Sequence, residues 1–96
     1  MSTDSPQPLG DVLQDVIDRL GMRDKIDEAR VVETWATIAG DRVNAVTESV
    51  WMKGDTLFVK ISSAAWRQEL HMNRRAWRNR LNDALGREIV DKIMFR

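Results

Sequence analysis

Four arginines between positions 67 and 78 are the side chains of this 96-residue sequence best suited to chemistry with a ligand. On a helix, at about 100° per residue, they lie within about 100° of arc on one flank. A guanidinium is a planar fork of N–H donors that matches a phosphate. No acid lies on this flank, so the pattern indicates phosphate contact; a solvated or acid-paired face is the alternative. The four are Arg67, Arg74, Arg75 and Arg78.

The stretch that carries these arginines, Ser62 to Leu85, predicts one long helix. Ser62 or Ser63 can cap its start, because a Ser hydroxyl accepts a bond from a first-turn N–H. Gly86 can adopt the left-handed conformation that commonly ends a helix. We expect the rest of the chain to hold this helix and present its basic side. The apolar stripe beside the arginines consists of Trp66, Leu70, Asn73, Trp77, Leu81 and Ala84.

Side chains typical of catalytic and metal sites are scarce. The sequence has no Cys, which excludes a disulfide, a thiolate zinc site and a Cys nucleophile. His71 is the one His, and a metal site is not expected from it without further ligands. Neither a Ser-His-Asp arrangement nor a Gly-rich phosphate loop is present. We therefore expect no enzymatic activity, no cofactor, no metal and no small-molecule substrate.

Charge is distributed unevenly although the net charge is zero. Residues 1–50 hold ten acids and five bases, and residues 51–96 hold five acids and ten bases. This split indicates one side that faces a polyanion and another that does not; an uneven solvated surface is the alternative. The N-terminal sequence lacks the pattern of a signal peptide, and no apolar run is long enough to span a membrane. A cytoplasmic protein is expected.

The N-terminal part predicts a flexible tail and then a helix. Pro6 and Pro8 oppose helix within residues 1–8, whereas residues 9–96 predict a single domain. Apolar residues recur at helical spacing from 9 to 20, and Gly21 can close that helix. Its solvent side carries three acids that we predict to face a protein partner: Asp11, Asp15 and Asp18.

Further elements follow from hydrophobic period and turn residues. A strand–helix–strand unit brings the last strand back parallel to the second. The sequence thus predicts a small α+β domain of order α-α-β-β-α-β, with a three-stranded mixed sheet and helices mainly on one face. Lys53 and Lys60 extend the basic patch if the hairpin lies beside the long helix. The remaining predicted elements are a helix at 24–39 ended by Gly40, a strand at 43–52, a turn at Gly54, a strand at 56–61 and a strand at 88–95.

Tryptophan accounts for four residues of the sequence. Trp35, Trp66 and Trp77 fall on predicted apolar helix faces, so we expect them in the core. Trp51 lies at the end of the predicted hairpin, where core packing and stacking on an exposed base are the two alternatives.

Five short motifs follow one another across residues 9–96. They are Trp35-x-x-Ile38-Ala39-Gly40, Gly54-x-x-Leu57-x-Val59-x-Ile61-Ser62-Ser63, Trp66-x-x-Glu69-Leu70, Leu81-Asn82-x-x-Leu85-Gly86 and Ile93-x-Phe95-Arg96. This ordered set resembles a bacterial domain-of-unknown-function family that includes DciA, a factor that loads or operates the replicative helicase. The resemblance implies a KH-like fold, DNA binding, contact with the replicative helicase and no catalytic activity.

Two features depart from that resemblance. A KH domain usually clamps nucleic acid with a GxxG loop, and the nearest segment, Gly40-Asp41-Arg42-Val43, does not match. DNA contact is therefore expected through the arginines, to single-stranded or duplex DNA without sequence specificity. Longer members of the family also continue past this domain with a tail implicated in helicase contact, so we expect the domain itself or the N-terminal tail to make that contact here.

Three hypotheses follow. The leading one is a DNA-binding accessory protein of bacterial replication. The second is a protein–protein adaptor whose arginines pair with an acidic partner surface. An RNA-binding KH-like protein is the third, and the missing GxxG loop disfavours it.

Overall fold

A computed structural model describes residues 22–96 of the chain, with side chains from residue 27 onward. The predicted tail at 1–8 and the predicted helix at 9–20 lie outside these residues. The described elements are α1 (Met22–Ala45), β1 (Thr47–Lys53), β2 (Thr56–Ile61), α2 (Ala64–Met72), α3 (Arg74–Leu85) and β3 (Lys92–Phe95).

Helix α1 is longer than predicted and is broken at Gly40, whose φ is 81° and ψ is 173°. Its buried face, at Val31, Trp35, Ala39 and Val43, repeats every four residues and continues past the break. The predicted strand at 43–52 is therefore wrong in its first part. Burial of Val43 against the core outweighs the β-propensity of that segment, and β1 begins only at Thr47.

The sheet has the predicted mixed topology, with strand order β1-β2-β3. Strands β1 and β2 are antiparallel and joined by a tight turn, in which Gly54 has a φ of 62°. Strand β3 pairs parallel to β2, as the strand–helix–strand argument requires. The prediction of a small α+β domain with a three-stranded mixed sheet is confirmed.

The core lies between the helices and one face of this sheet. Leu57, Val59 and Ile61 of β2 are buried on that face, whereas Lys60 is exposed on the other. Trp35 is fully buried, with its ring centroid 5.2 Å from that of Trp77. Packing of the helices on one face, and the placement of Trp35 in the core, are as predicted. Trp66 and Trp77 are partly buried and pack against the core.

The predicted long helix is wrong, because Asn73 divides it into α2 and α3. Asn73 has a φ of −104° and a ψ of 19°, and its side-chain amide donates to the Glu69 carbonyl at 2.9 Å. Asn side chains compete in this way with the regular backbone bonds of a helix. The predicted ends are correct: the Ser63 hydroxyl accepts from the Trp66 N–H at 3.3 Å, and Gly86 ends α3 with a φ of 77°.

The break also changes which side chains reach the core. Asn73 and Ala84 of the predicted apolar stripe are exposed, and Leu85 and Asn82 are buried instead. The other four residues of the stripe still contact the core from both sides of the break: Trp66, Leu70, Trp77 and Leu81.

The last strand is half as long as the predicted 88–95 segment, covering Lys92–Phe95 alone. The preceding connection is held by side-chain and backbone bonds other than a strand ladder. The Asn82 amide oxygen accepts from the Val90 N–H at 3.0 Å, and the Asp91 N–H donates to the Asp55 carbonyl at 2.8 Å. Within residues 22–96, no helix is both long enough and apolar enough to cross a membrane.

Candidate nucleic-acid interface

Three of the four predicted arginines meet where α3 passes beside β3. Arg74, Arg75 and Arg78 line a shallow pocket of about 200 Å³ together with Asp91, Lys92 and Ile93. We call Arg74, Arg75, Arg78 and Lys92 the arginine cluster. Lys92 was not among the predicted site residues, because the parallel pairing of β3 with β2, rather than any local pattern, places it here.

Neutral acceptors hold two members of the cluster in place. Arg74 donates from Nη1 to the His71 carbonyl at 3.0 Å. Arg78 donates from Nη1 to the Asp91 carbonyl at 3.2 Å and from Nη2 to Asn79 Oδ1 at 3.0 Å. Because these acceptors carry no charge, the bonds orient the guanidinium groups without forming an ion pair. Asp91 is the one acid among the residues that line the pocket.

Carboxylates of the described residues form no ion pair with the cluster. The ion pairs among these residues are Lys60 with Glu48 at 3.5 Å and Arg87 with Asp27 at 3.6 Å. The Arg75 side chain is exposed and makes neither a hydrogen bond nor an ion pair with residues 27–96. The cluster thus combines two oriented guanidinium groups with two further cations, and an anion such as phosphate is the ligand it fits.

The helix end that carries the cluster adds to its positive potential. Arg74 and Arg75 occupy the first turn of α3, which contains no acid, and Asn73 makes no side-chain capping bond there. The N-terminal end of a helix carries a partial positive charge, so two cations at this end repel it. A bound anion relieves that repulsion.

Arg67 lies apart from the cluster. Its guanidinium is partly buried and donates from Nη2 to the Ile61 carbonyl at the end of β2, at 3.0 Å. The Arg67 Nε is also buried and has no partner among the described atoms. The structure therefore places Arg67 where it ties α2 to β2.

The two predicted lysines lie on the sheet face turned away from the helices. β3 lies between the hairpin and the arginines of α3, so the extension of the patch to Lys53 and Lys60 stays a prediction. Lys60 pairs with Glu48, and Lys53 lies opposite Thr56, whose other neighbour is Lys92. Asp11, Asp15 and Asp18 fall outside the described residues.

Among the described residues, the side chains at the site do not form a metal-binding group. His71 is exposed, and its ring Nε2 lies 3.4 Å from Arg74 Nη1. In the part of the chain that the structure describes, no group of three or more His, Asp or Glu side chains is placed to hold a metal ion.

A comparison with known protein families shows to which family the chain belongs. The family described as "Dna[CI] antecedent, DciA" matches residues 8–95. The chain belongs to the DciA family. The positions that carry the DciA resemblance read as fold-determining residues in the structure: Trp35 and Leu57 are fully buried, and Gly40 and Gly54 have positive φ. The cations of the arginine cluster are not part of those motifs.

Curated relatives of this DciA-family chain carry the name UPF0232. The UPF0232 proteins of Mycobacterium leprae strains Br4923 and TN are each 27% identical over 88 residues, covering 92% of this chain and 47% of the relative. A UPF0232 protein of Rhodococcus jostii RHA1 is 25% identical over the same length. The chain thus spans about half the length of the curated relatives it matches. No solved structure matches it, so the KH-like label stays a prediction.

Proposed function

We propose that this DciA-family chain is a non-enzymatic, cytoplasmic DNA-binding accessory protein of bacterial replication, which helps to load or operate the replicative helicase. The arginine cluster contacts the phosphates of DNA. The observation that supports this most is the group of cations around one pocket with no carboxylate partner among residues 27–96.

Phosphate contacts made by this cluster position DNA without reading its sequence. Each phosphate that a cation neutralises releases condensed counterions, so binding weakens as the salt concentration rises. Arg74 and Arg78 are already oriented by neutral acceptors, which lowers the entropy lost when they engage a phosphate. The cluster therefore supports non-specific DNA binding.

Support for the helicase role comes from the family rather than from the geometry. Membership of the DciA family favours a partner in helicase loading, and residues 9–96 act as the single domain that carries it. The domain itself makes the helicase contact, with the acids at 11, 15 and 18 as its predicted partner-facing residues.

The first prediction concerns the arginine cluster. The arginine cluster should contribute about −3 to the log–log salt slope measured by fluorescence anisotropy of labelled single-stranded DNA, because its four phosphate contacts contribute about −0.7 each. Arg75→Ala removes one contact and no described intramolecular bond, so its slope should be shallower by about 0.7. Arg74→Glu combined with Arg75→Glu should flatten the slope further and weaken binding at every salt concentration.

Arg42→Ala is the matched control, because Arg42 is an exposed cation in the last turn of α1 and lies outside the cluster. Its slope should equal that of the wild type. Wild-type binding by the double Glu variant would show that the cluster is not the DNA surface. Absence of wild-type binding at low salt would exclude DNA binding and leave the adaptor hypothesis, tested by capture of the helicase. An unlabelled RNA competitor of equal length tests the RNA alternative.

A further inference from the structure

The face of the sheet turned away from the helices carries a row of large side chains that the core does not use. Trp51, Phe58 and Met94 lie side by side across β1, β2 and β3. Trp51 is 38% exposed and Met94 is 37% exposed. We call this surface the open sheet face.

Two aromatic rings on the open sheet face are already stacked. The Trp51 and Phe58 ring centroids are 5.4 Å apart and the ring planes differ by 9°. The Arg96 guanidinium carbon lies over the Phe58 ring, 4.7 Å from its centroid. Phe58 is thus engaged by two neighbours. Trp51 belongs to β1, an edge strand of the described sheet, and has no second sheet neighbour on its outer side.

Cations flank the aromatic row on both sides. Lys53 and Lys92 lie in the neighbouring row at one end, on either side of Thr56. Lys60 and Arg96 lie in the row at the other end, since Arg96 bonds through its backbone to Val59 and Ile61 on either side of Lys60. Adjacent rows on one face are about 7 Å apart along a strand and neighbouring strands are about 4.8 Å apart, so a nucleic-acid strand of a few nucleotides on Trp51 spans the distance to all four cations.

One ion pair lies on this face among residues 27–96. Glu48 pairs with Lys60 at 3.5 Å, and the other three cations form no ion pair within residues 27–96. An aromatic surface between unpaired cations is complementary to a chain that carries both flat rings and regular negative charges. Single-stranded nucleic acid has this chemistry: bases stack on aromatic side chains, and the backbone follows the cations.

We propose that the open sheet face binds single-stranded DNA, with a base stacked on Trp51 and neighbouring phosphates on Lys53, Lys92 and Arg96. This inference deepens the proposed DNA binding and rests on it. Lys92 belongs to both surfaces, so one strand passes from the open sheet face to the arginine cluster. Duplex DNA contacts only the arginine cluster, because its bases are paired and stacked within the helix and cannot lie on Trp51.

A protein partner fits this surface less well. The apolar part is a single row one side chain deep, and four cations border it. An apolar docking surface for a protein or for a second copy of the chain usually has a wider apolar centre depleted of charge. The charge pattern therefore favours a polyanion.

The second prediction separates stacking from apolar docking with three variants of the full chain. Trp51→Leu keeps an apolar side chain but removes the π-face, whereas Trp51→Phe keeps a smaller π-face; Trp51→Ala removes both. Loss of one stacked base weakens binding by about 5- to 150-fold. We expect this loss with labelled oligo(dT) for the Leu and Ala variants and a clearly smaller loss for the Phe variant. Circular dichroism confirms that each variant is folded.

Two further ligands sharpen the test. Duplex DNA and an oligomer of abasic sites should bind the Trp51 variants and the wild type equally, because neither offers a base to stack. The variant with Arg74→Glu and Arg75→Glu should lose affinity for all three ligands. Tryptophan fluorescence of the wild type should be quenched by oligo(dT), and Trp51→Phe should lose that part of the quenching.

Each outcome decides between the two proposals. Wild-type affinity of Trp51→Leu for oligo(dT) overturns the stacking inference and leaves the arginine cluster intact. Equal loss with oligo(dT) and abasic oligomer also overturns it, since the tryptophan would then act without a base. If Trp51→Leu loses affinity for oligo(dT) while the variant with Arg74→Glu and Arg75→Glu binds normally, the open sheet face is supported and the arginine cluster is excluded as a DNA surface. Wild type that binds none of the ligands removes both.

Discussion

Asn82 is a polar side chain that the fold of this domain depends on. It is 7% exposed, donates to the Val90 carbonyl at 2.8 Å and accepts from the N–H groups of Ile89 and Val90. These three bonds replace a strand ladder in the connection between α3 and β3. They hold β3, and with it Lys92, beside the arginines of α3. A buried structural residue thereby determines whether the cluster forms.

The third prediction follows from these bonds. Asn82→Ala leaves the polar backbone groups of Ile89 and Val90 without partners, and Val90 is 2% exposed, so water replaces them poorly. Each unsatisfied buried group costs about 1–3 kcal/mol, and we expect the free energy of unfolding to fall by about 2–4 kcal/mol. Urea unfolding followed by tryptophan fluorescence measures the change.

Asn79→Ala is the control for this experiment, because Asn79 lies on the same helix but is exposed. Its effect should stay within about 0.5 kcal/mol, as for most surface substitutions. Equal losses for the two variants would show that the Asn82 bonds are not what holds the connection.

At the scale of elements, two helix breaks shape the domain, and their causes differ. Gly40 has a positive φ combined with an extended ψ of 173°, a region that almost only glycine occupies. Asn73 keeps an ordinary negative φ and interrupts the helix through side-chain bonds to Glu69. The first break is a requirement of the backbone, and the second is a preference of a side chain.

The fourth prediction compares two glycines with open space around them. A Cβ at Gly40 or at Gly86 would meet no atom within 4 Å, so any cost of substitution comes from the backbone. Gly40→Asn should lower the free energy of unfolding by about 1–3 kcal/mol. Gly86→Asn should cost less than about 1 kcal/mol, because Gly86 has a φ of 77° and a ψ of 7° and Asn tolerates that left-handed conformation.

Thermal or urea unfolding of both variants tests this difference. Equal costs would mean that the conformation at Gly40 is not what resists a side chain. Each variant is the control for the other, since both sites receive the same new residue and both are exposed.

The local sequence pattern was sufficient to predict those elements whose hydrophobic spacing and turn residues agree with how they pack in the structure. The alternation at Leu57, Val59 and Ile61 predicted the faces of β2, and Gly54 predicted the turn. It was insufficient at Val43, because the apolar face of α1 resumes beyond Gly40 and no local signal distinguishes that from a strand. It was also insufficient at Asn73, which falls at a helical position of the pattern and breaks the helix through its own side chain.

The candidate site was likewise predicted only in part from the sequence. Helical spacing placed Arg74, Arg75 and Arg78 on one flank, and the structure brings them together around one pocket. Spacing could not show that Arg67 turns to the Ile61 carbonyl, since that contact depends on where β2 ends relative to α2. Nor could it show Lys92, whose position requires the long-range pairing of β3.

At the scale of the whole molecule, the basic surfaces concentrate in the second half of the sequence. The arginine cluster and the cations of the open sheet face all come from the second half of the sequence. Residues 51–96 hold ten bases and five acids. The first half carries the excess of acids. Complementary charge directs encounters with partners, so we expect DNA and a protein partner with a basic surface to contact residues from different halves of the sequence.

The fifth prediction tests that division with the replicative helicase. Replacing Asp11, Asp15 and Asp18 together by Asn should weaken helicase capture by about 3- to 150-fold, since each exposed charge pair contributes about 0.2–1 kcal/mol. Most of the loss should appear in the association rate and shrink at high salt. Binding to oligo(dT) should stay as in the wild type, because the change adds no cation to either basic surface.

The control removes the same amount of negative charge elsewhere, with Glu33→Gln, Asp41→Asn and Asp83→Asn, all exposed positions. Surface plasmon resonance on immobilised helicase at two salt concentrations measures both triple variants. Unchanged capture by the first variant contradicts the partner-facing role of the three aspartates. The two triple variants have the same net charge, so only a localised acidic face can make them differ. Equal weakening by both would therefore show that the helicase is attracted by total negative charge and not by a defined acidic face.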